Sequence, residues 1–333
     1  MVERRGISVQ RRGLALALVM TGLFMVLAVG GCSKPVDAYL ALPVEVGQVS
    51  TGDLEPSRLQ VRGDTLFVSY NGLPRIDAFN FDLEIVASLA LQAPETIRPT
   101  AFAITDTSIV VADHGLGVVA VFDRAGHFQT SFDTLPDGKT RLQPIALVAF
   151  RGIVYVVDMG AHQVFAISLN DMPDVTETGE LILSIPKPGE TPLVFPSAVQ
   201  ITPDGRLLVG DAGGAEVSVF TCEGSRIYTF EPVPEISKMA PQGFAYDRLP
   251  DPSMVDDSSF DPSGVRAQGR IHLADGYNGR IHMYNPVGKY LGSYPETTRL
   301  AGPAGIATDP EGEFLFVSDP PARRILVYRL KGE

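Results

Sequence analysis

Leu273-Ala274-Asp275-Gly276-Tyr277-Asn278-Gly279-Arg280-Ile281-His282-Met283-Tyr284 joins an apolar run closed by an acid, a loop rich in Gly and Asn, and a run that alternates polar with apolar residues. The alternation has the period of a strand with one buried face. The acid-closed run recurs as Val111-Ala112-Asp113, Val156-Val157-Asp158, Val209-Gly210-Asp211 and Val317-Ser318-Asp319, and as Val68-Ser69-Tyr70 in a first copy that lacks the acid. Upstream of each, a proline stands three residues before an apolar position: Pro56 and Leu59, Pro99 and Phe102, Pro144 and Leu147, Pro196 and Val199, Pro241 and Phe244, Pro303 and Ile306. Units of this size cannot bury their faces alone and stack on one another.

Further alternation, as in His127-Phe128-Gln129-Thr130-Ser131-Phe132, and turn pairs such as Asp204-Gly205 and Glu311-Gly312 leave room for four strands per copy. The 33 glycines, 26 prolines and lack of a long amphipathic segment make the chain all-β. Six copies of four antiparallel strands predict a six-bladed β-propeller. Outer strands follow the first five copies, at Glu84 to Ala90, His127 to Asp133, Glu180 to Ile185, Arg226 to Glu231 and Tyr290 to Pro295. The sixth copy stops after its third strand. Val44-Glu45-Val46-Gly47-Gln48-Val49 alternates correctly to complete it, so that no free edge is left where the ring closes.

Residues 1–31 read as an export leader: Arg4, Arg5, Arg11 and Arg12, then a nearly continuous apolar run from Leu14 to Val29, then Gly30-Gly31-Cys32. The ending resembles a bacterial lipoprotein lipobox. That resemblance implies cleavage before Cys32 and its acylation, and the extent of the repeats leaves a tether over 32–42 and a propeller over 43–333. Ser33 and Lys34 after the cysteine favour the outer membrane if the host has one. The whole chain carries a net charge of −12, and residues 32–333 carry −15, because the leader holds four arginines and one glutamate. Such a surface repels nucleic acid and anionic lipid, so membrane attachment is expected through acyl chains, in the cell envelope. With Cys32 lipidated, Cys222 is the only thiol and no disulfide can form.

The pattern Pro-x-Gly-Ile-Ala, Val-x-Asp and Asn-x-Arg-Ile, seen at Pro303 to Ala307 and Asp275 to Ile281, resembles the NHL-repeat propellers over about residues 50 to 330. Tyr70 departs from it in place of the acid, and Gln163 and Glu216 in place of the arginine. Propellers similar to these scaffold proteins, bind small ligands or catalyse. The resemblance therefore implies the fold and leaves the function open.

Five repeated acids and Tyr70 are expected to ring one mouth of the central channel: Tyr70, Asp113, Asp158, Asp211, Asp275 and Asp319, with His114 beside them. Carboxylates suit a hard cation such as calcium, and lactonase-like and amidating-lyase-like propellers are similar in placing metals near the axis. Alternatively each acid accepts hydrogen bonds from loop amides of its own blade, which a feature present in nearly every copy favours. His114, His127, His162, His272 and His282 share no register, which weighs against a zinc centre and leaves each a surface or loop role. No Gly-x-Ser-x-Gly elbow or phosphate-cradling loop occurs, and Cys222 reads as a small packing residue. No cofactor is predicted by motif, and zero tryptophans remove the commonest stacking platform for sugars.

From opening proline to acid the copies take 14 to 16 residues, but Pro241 to Asp275 takes 34. The insertion between the first two strands of copy five carries Asp247, Asp251, Asp256, Asp257 and Asp261, and a smaller expansion runs from Asn170 to Gly179. Both are expected on the face opposite the acid ring, where an envelope protein partner would dock. On the ring side Arg58, Arg98, Arg141, Lys238 and Arg299 form a basic set of loop charges that could draw an anion. The expected function is an envelope-anchored propeller that binds a protein or ligand, with a metal-dependent hydrolase or lyase at the channel mouth as the alternative.

Overall fold

The computed structural model describes residues 42–135, 139–169, 181–247 and 269–330. The leader, Cys32, the tether, the 170–179 expansion and the insertion acids Asp251, Asp256, Asp257 and Asp261 lie outside them.

The chain opens with β1 (Val44–Ser50), then lays down blade 1 as β2 (Pro56–Arg62), β3 (Thr65–Tyr70), β4 (Arg75–Phe79) and β5 (Ile85–Ala90). Blade 2 is β6 (Ala101–Ile104), β7 (Ser108–Asp113), β8 (Val118–Asp123) and β9 (Phe128–Phe132). Blade 3 is β10 (Pro144–Phe150), β11 (Ile153–Asp158), β12 (Gln163–Ser168) and β13 (Leu181–Ile185). Blade 4 is β14 (Pro196–Ile201), β15 (Leu207–Asp211), β16 (Glu216–Phe220) and β17 (Arg226–Thr229). Blade 5 is β18 (Pro241–Asp247), β19 (Arg270–Asp275), β20 (Arg280–Tyr284) and β21 (Tyr290–Tyr294). Blade 6 has β22 (Ile306–Thr308), β23 (Phe314–Asp319) and β24 (Arg324–Arg329), and takes β1 as its outer strand.

The ring closes as the alternation of residues 44–49 predicts: β1 pairs antiparallel with β24 from Val44 opposite Arg329 to Ser50 opposite Arg324. The first residues of the propeller thus complete its last blade. Each inner strand packs against the next, β22 against β2 included. The Ser318 hydroxyl donates to the Ser57 carbonyl at 2.5 Å across that final seam. The outer strands are up to two residues shorter than the alternation suggests. Cores form between blades, as where Ile281, Met283 and Tyr294 of blade 5 meet Leu315, Val317 and Tyr328 of blade 6. Cys222 fits its expected role, half-buried against the core between blades 3 and 4.

Inner strands begin with a local irregularity. In blades 3, 4 and 5 the register skips the residue after the opening proline, and in blade 1 the two residues after it. Such a bulge releases main-chain groups from the ladder. Here the irregularity lies on the axis.

Candidate functional site

The repeated acids end the second strand of their blades, and all five are buried. Each carboxylate is committed to main-chain amides. Asp113 accepts from Arg98 N at 2.7 Å and Leu116 N at 3.0 Å, and Asp158 from Gln143 N at 2.6 Å and Ala161 N at 2.8 Å. Asp211 takes four, from Val194, Phe195, Gly213 and Gly214. Asp319 accepts from Ala301 N and Gly302 N, and from the Arg324 guanidinium at 3.0 Å. Asp275 accepts from Ala240, Tyr277 and Asn278 amides and from His282. For Asp113, Asp158, Asp211 and Asp275 one partner lies in the connection leading into the blade and another in the hairpin leading out, so each pins two loops of its own mouth together, whereas Asp319 holds the incoming connection and the Arg324 side chain of β24. Among the described residues no three His, Cys, Asp or Glu side chains gather as metal ligands. Exposed His162 and half-buried His114 join no such group.

Tyr70 occupies the vacant acid position of blade 1 and is buried, its phenol pushed up by burial and then by Asp77. Asp77 in turn holds the Arg75 guanidinium at 2.7 Å and the Ser88 hydroxyl at 2.7 Å.

Arg58 is not a loop charge. It lies on β2, and its guanidinium fills the axis. Nε donates to the Thr100 carbonyl at 3.1 Å, one terminal nitrogen to the Gln242 carbonyl, and the other to the Ile145 carbonyl at 3.4 Å. Those are the residues just after the opening prolines of blades 2, 5 and 3, so one side chain from blade 1 ties three other blades together. No carboxylate among the described residues pairs with it. Desolvation lowers its pKa to about 10. A divalent cation on the axis at this level would face that fixed positive charge.

The signal for Arg58 was in the sequence. Two residues after the opening proline the other copies carry Ala101, Ala146, Ala198, Gly243 and Gly305. Space explains the small residues: a Cβ at Gly305 would stand 2.4 Å from the Ser57 carbonyl, and one at Gly243 3.0 Å from that of Ala304. At this position only blade 1, among the described residues, carries a long side chain. Above Arg58, on the acid-ring side, a cup of about 400 Å³ opens between blades 1, 2, 5 and 6, with Asn71, Arg98, Thr100, Asp113 and Gln242 in its wall. A cavity of about 120 Å³ lies on its other side, lined by Gln60, Gln200, Gln242 and apolar residues such as Phe102, Leu147 and Phe244. The other members of the basic set, Arg98, Arg141, Lys238 and Arg299, are exposed.

Blade 5 holds the titratable groups that the sequence placed on surfaces. Asp247 is the buried last residue of β18, not an exposed loop acid, because Arg270 and His272 of the neighbouring strand close around it. Its carboxylate accepts from Arg270 Nε at 2.7 Å and His272 Nε2 at 3.2 Å, while Tyr294 OH donates to His272 Nδ1 at 2.8 Å. A terminal nitrogen of Arg270 donates to the Leu330 carbonyl at 2.6 Å. Burial lowers His272, which stays neutral against Asp247. Burial alone would raise Asp247, but His272 and Arg270 outweigh it and hold the carboxyl low.

On the other face, Asp275, His282, Ser293 and Tyr290 run in series at 3.0, 2.7 and 2.6 Å. This has the donor order of a nucleophilic relay. The hydroxyl, however, is a repeat feature: Ser88, Ser131, Ser184 and Thr229 occupy the same outer-strand position opposite Asp77, Ala120, Phe165 and Ser218. His282 is fully enclosed. The series therefore fills a blade wall.

These features define an all-β, six-bladed propeller with an arginine across its axis. No protein-family model matches the chain, and no curated protein matches it. A solved structure described as "Streptogramin B lyase structure" is similar over 83% of this chain and 93% of its own, with a TM-score of 0.54 and 12% identity. At that identity the likeness shows the fold. Solved chains matching the shape number 1138, so the fold by itself selects no activity.

Proposed function

We propose that this is an envelope-anchored binding propeller whose ligand site is the cup over Arg58. The observation that carries the reading is the single break in an otherwise uniform ring: five small residues and one arginine at the same axial position. A residue repeated in every copy serves the blade, whereas a residue that breaks the repeat at the common axis serves the whole ring. The cup falls within the range of small-molecule sites, about 300 to 1,000 Å³. The acids around it have their oxygens engaged by amides, and no three carboxylates or histidines among the described residues gather as metal ligands. That favours binding over metal-dependent hydrolysis or elimination.

The anchoring half of the reading is supported by the leader and Cys32, and by apolar side chains on the outer edge. Val44 and Val46 of β1 and Ile85 and Val86 of β5 are exposed on neighbouring blades, beside the point where the chain enters from its tether. Envelope fractionation of the native protein against Cys32→Ser tests the anchor: release of the variant to the soluble fraction is expected, and unchanged membrane retention would remove lipidation from the reading. The cup is tested by filling it. Thr100→Trp should abolish binding of small molecules retained by the wild-type protein in native mass spectrometry, and equal retention by both would place binding elsewhere.

A second reading, an envelope protein docking on the opposite face, is favoured by the root of the 248–268 insertion. The Asp247, Arg270, His272 and Leu330 bonds fix both its ends rigidly. In-cell crosslinking of the native chain, and of one with residues 248–268 replaced by a Gly-Ser turn, should capture a partner only with the native loop.

A further inference from the structure

Arg58 spends three of its five N–H donors on carbonyls, which leaves one on each terminal nitrogen. A guanidinium half-withdrawn from water with no carboxylate partner among the described residues carries a cost, because carbonyl dipoles offset a full charge only in part. The cup above it is the side from which an anion can approach, and exposed Arg98 stands in the same wall. The wall contributed by blade 1 lacks the repeated acid, since Tyr70 replaces it and is buried. Two departures from the repeat in one blade, a cation gained and an anion lost, thus act in the same electrostatic direction. Asp113 remains in the cup, and each of its oxygens already accepts an amide hydrogen.

We propose that the cup takes a small organic monoanion whose carboxylate is held by the free donors of Arg58, with Arg98 at its rim. This rests on the reading of the cup as the ligand site. A planar guanidinium with two spare donors matches a carboxylate, and charge-assisted bonds of this kind are about twice as strong as neutral ones. A second negative charge would face Asp113, so a monoanion is preferred to a dianion such as phosphate. The carboxylate can belong to a free small acid or to the end of a short peptide.

The test is a matched panel offered to the purified full-length protein by isothermal titration: benzoate and hexanoate, benzamide and hexanamide, hexylamine, inorganic phosphate, and trialanine with a free or an amidated C-terminus. The expected result is that the acids bind at least about tenfold more tightly than their amides, with hexylamine and phosphate weaker still. Preference for free-ended trialanine over the small acids would assign the carboxylate to a peptide end, and the reverse to a free acid. Arg58→Met should abolish the preference for acid over amide, and Arg58→Lys, which keeps the charge, should retain part of it. Should Arg58→Met fail to fold, the acid-against-amide comparison in the wild-type protein still decides. Equal binding of acids and amides would overturn the charge assignment while leaving the cup as the site. No binding by any member at 20-fold over the protein concentration and at about millimolar level, or acid binding unchanged in Arg58→Met, would overturn the proposal itself.

Discussion

Blades 1 and 5 both break the repeat with charged or titratable side chains, and they place them in opposite settings. Blade 5 turns Asp247, Arg270, His272, Asp275 and His282 into its own walls, where each is bonded to a neighbour and nearly or fully removed from water. Blade 1 sends Arg58 to the axis, where it meets carbonyls of three other blades and keeps two donors free. The contrast teaches that the density of titratable groups is a poor guide to a site in a repeat protein. Blade 5 has more of them and nearer neighbours, yet its donors are consumed internally. What matters is whether the odd residue faces a space that the whole ring shares.

Removing the acid at the centre of the blade 5 wall should have the largest effect. Asp247→Ala removes the carboxylate that balances the buried Arg270 guanidinium and accepts from His272 Nε2, so a loss of about 3–5 kcal/mol is expected in urea denaturation. Adding Arg270→Met should restore part of it, because the buried cation that lost its carboxylate is then gone. A cost like that of a surface change would mean that the wall is not the rigid element described.

The repeated acids come next. Asp211→Ala abandons four amide donors and should cost more than about 2 kcal/mol, and Asp158→Ala, with two such amides, should cost less. An order set by amide count would identify these acids as loop pins. Equal costs would point to a shared electrostatic field at the mouth instead.

How far the sequence announced these features depends on whether a residue obeys the repeat. The blade count, the closing strand from Val44 and the position of each acid at a strand end follow from period-two alternation and from the recurring proline and acid. The engagement of the acids by loop amides was one of two open readings, because a sequence shows the carboxylate but not which amides converge on it. Burial of His272 and His282 was hidden by their positions. Both stand on strands one place out of step with the flanking apolar residues, and a sheet packed on both faces buries both sets. Asp247 reads as part of the insertion because nothing in its local sequence marks the end of β18. Arg58 stands out against its counterparts Ala101, Ala146, Ala198, Gly243 and Gly305, a difference that grouping it with other charges by sign hides.

Acid should weaken blade 5 in a defined window. Unfolded His272 titrates near the ordinary value, about 6.5, and folded His272 lies below it because of burial. Between those two values the unfolded chain binds the extra proton, so stability falls as pH drops from about 6.5, by at most about 1.4 kcal/mol per pH unit for one group. Below the folded value this loss is complete. Asp247, held low by His272 and Arg270, adds a separate loss below about pH 4, as it takes up a proton that the unfolded chain binds first. Urea midpoints between pH 7.5 and 5 should show the first slope, and His272→Gln should flatten it.

The smallest change in stability belongs to the residue with the greatest functional weight. Arg58→Met removes three hydrogen bonds and a cation that no carboxylate balances. The lost bonds would cost about 0.5–1.5 kcal/mol each if their acceptors went unsatisfied, but the cup and the cavity on the other side of Arg58 give water access to the freed carbonyls. Relief of the half-buried charge offsets part of the remainder. A net shift within about 1 kcal/mol is expected in urea denaturation, against several for Asp247→Ala. If the substitution instead unfolds the protein, Arg58 is the pin that holds the ring, and the two blades do the same work in different places. If stability holds while anion binding is lost, the axial arginine is kept at the centre of the propeller for what it binds.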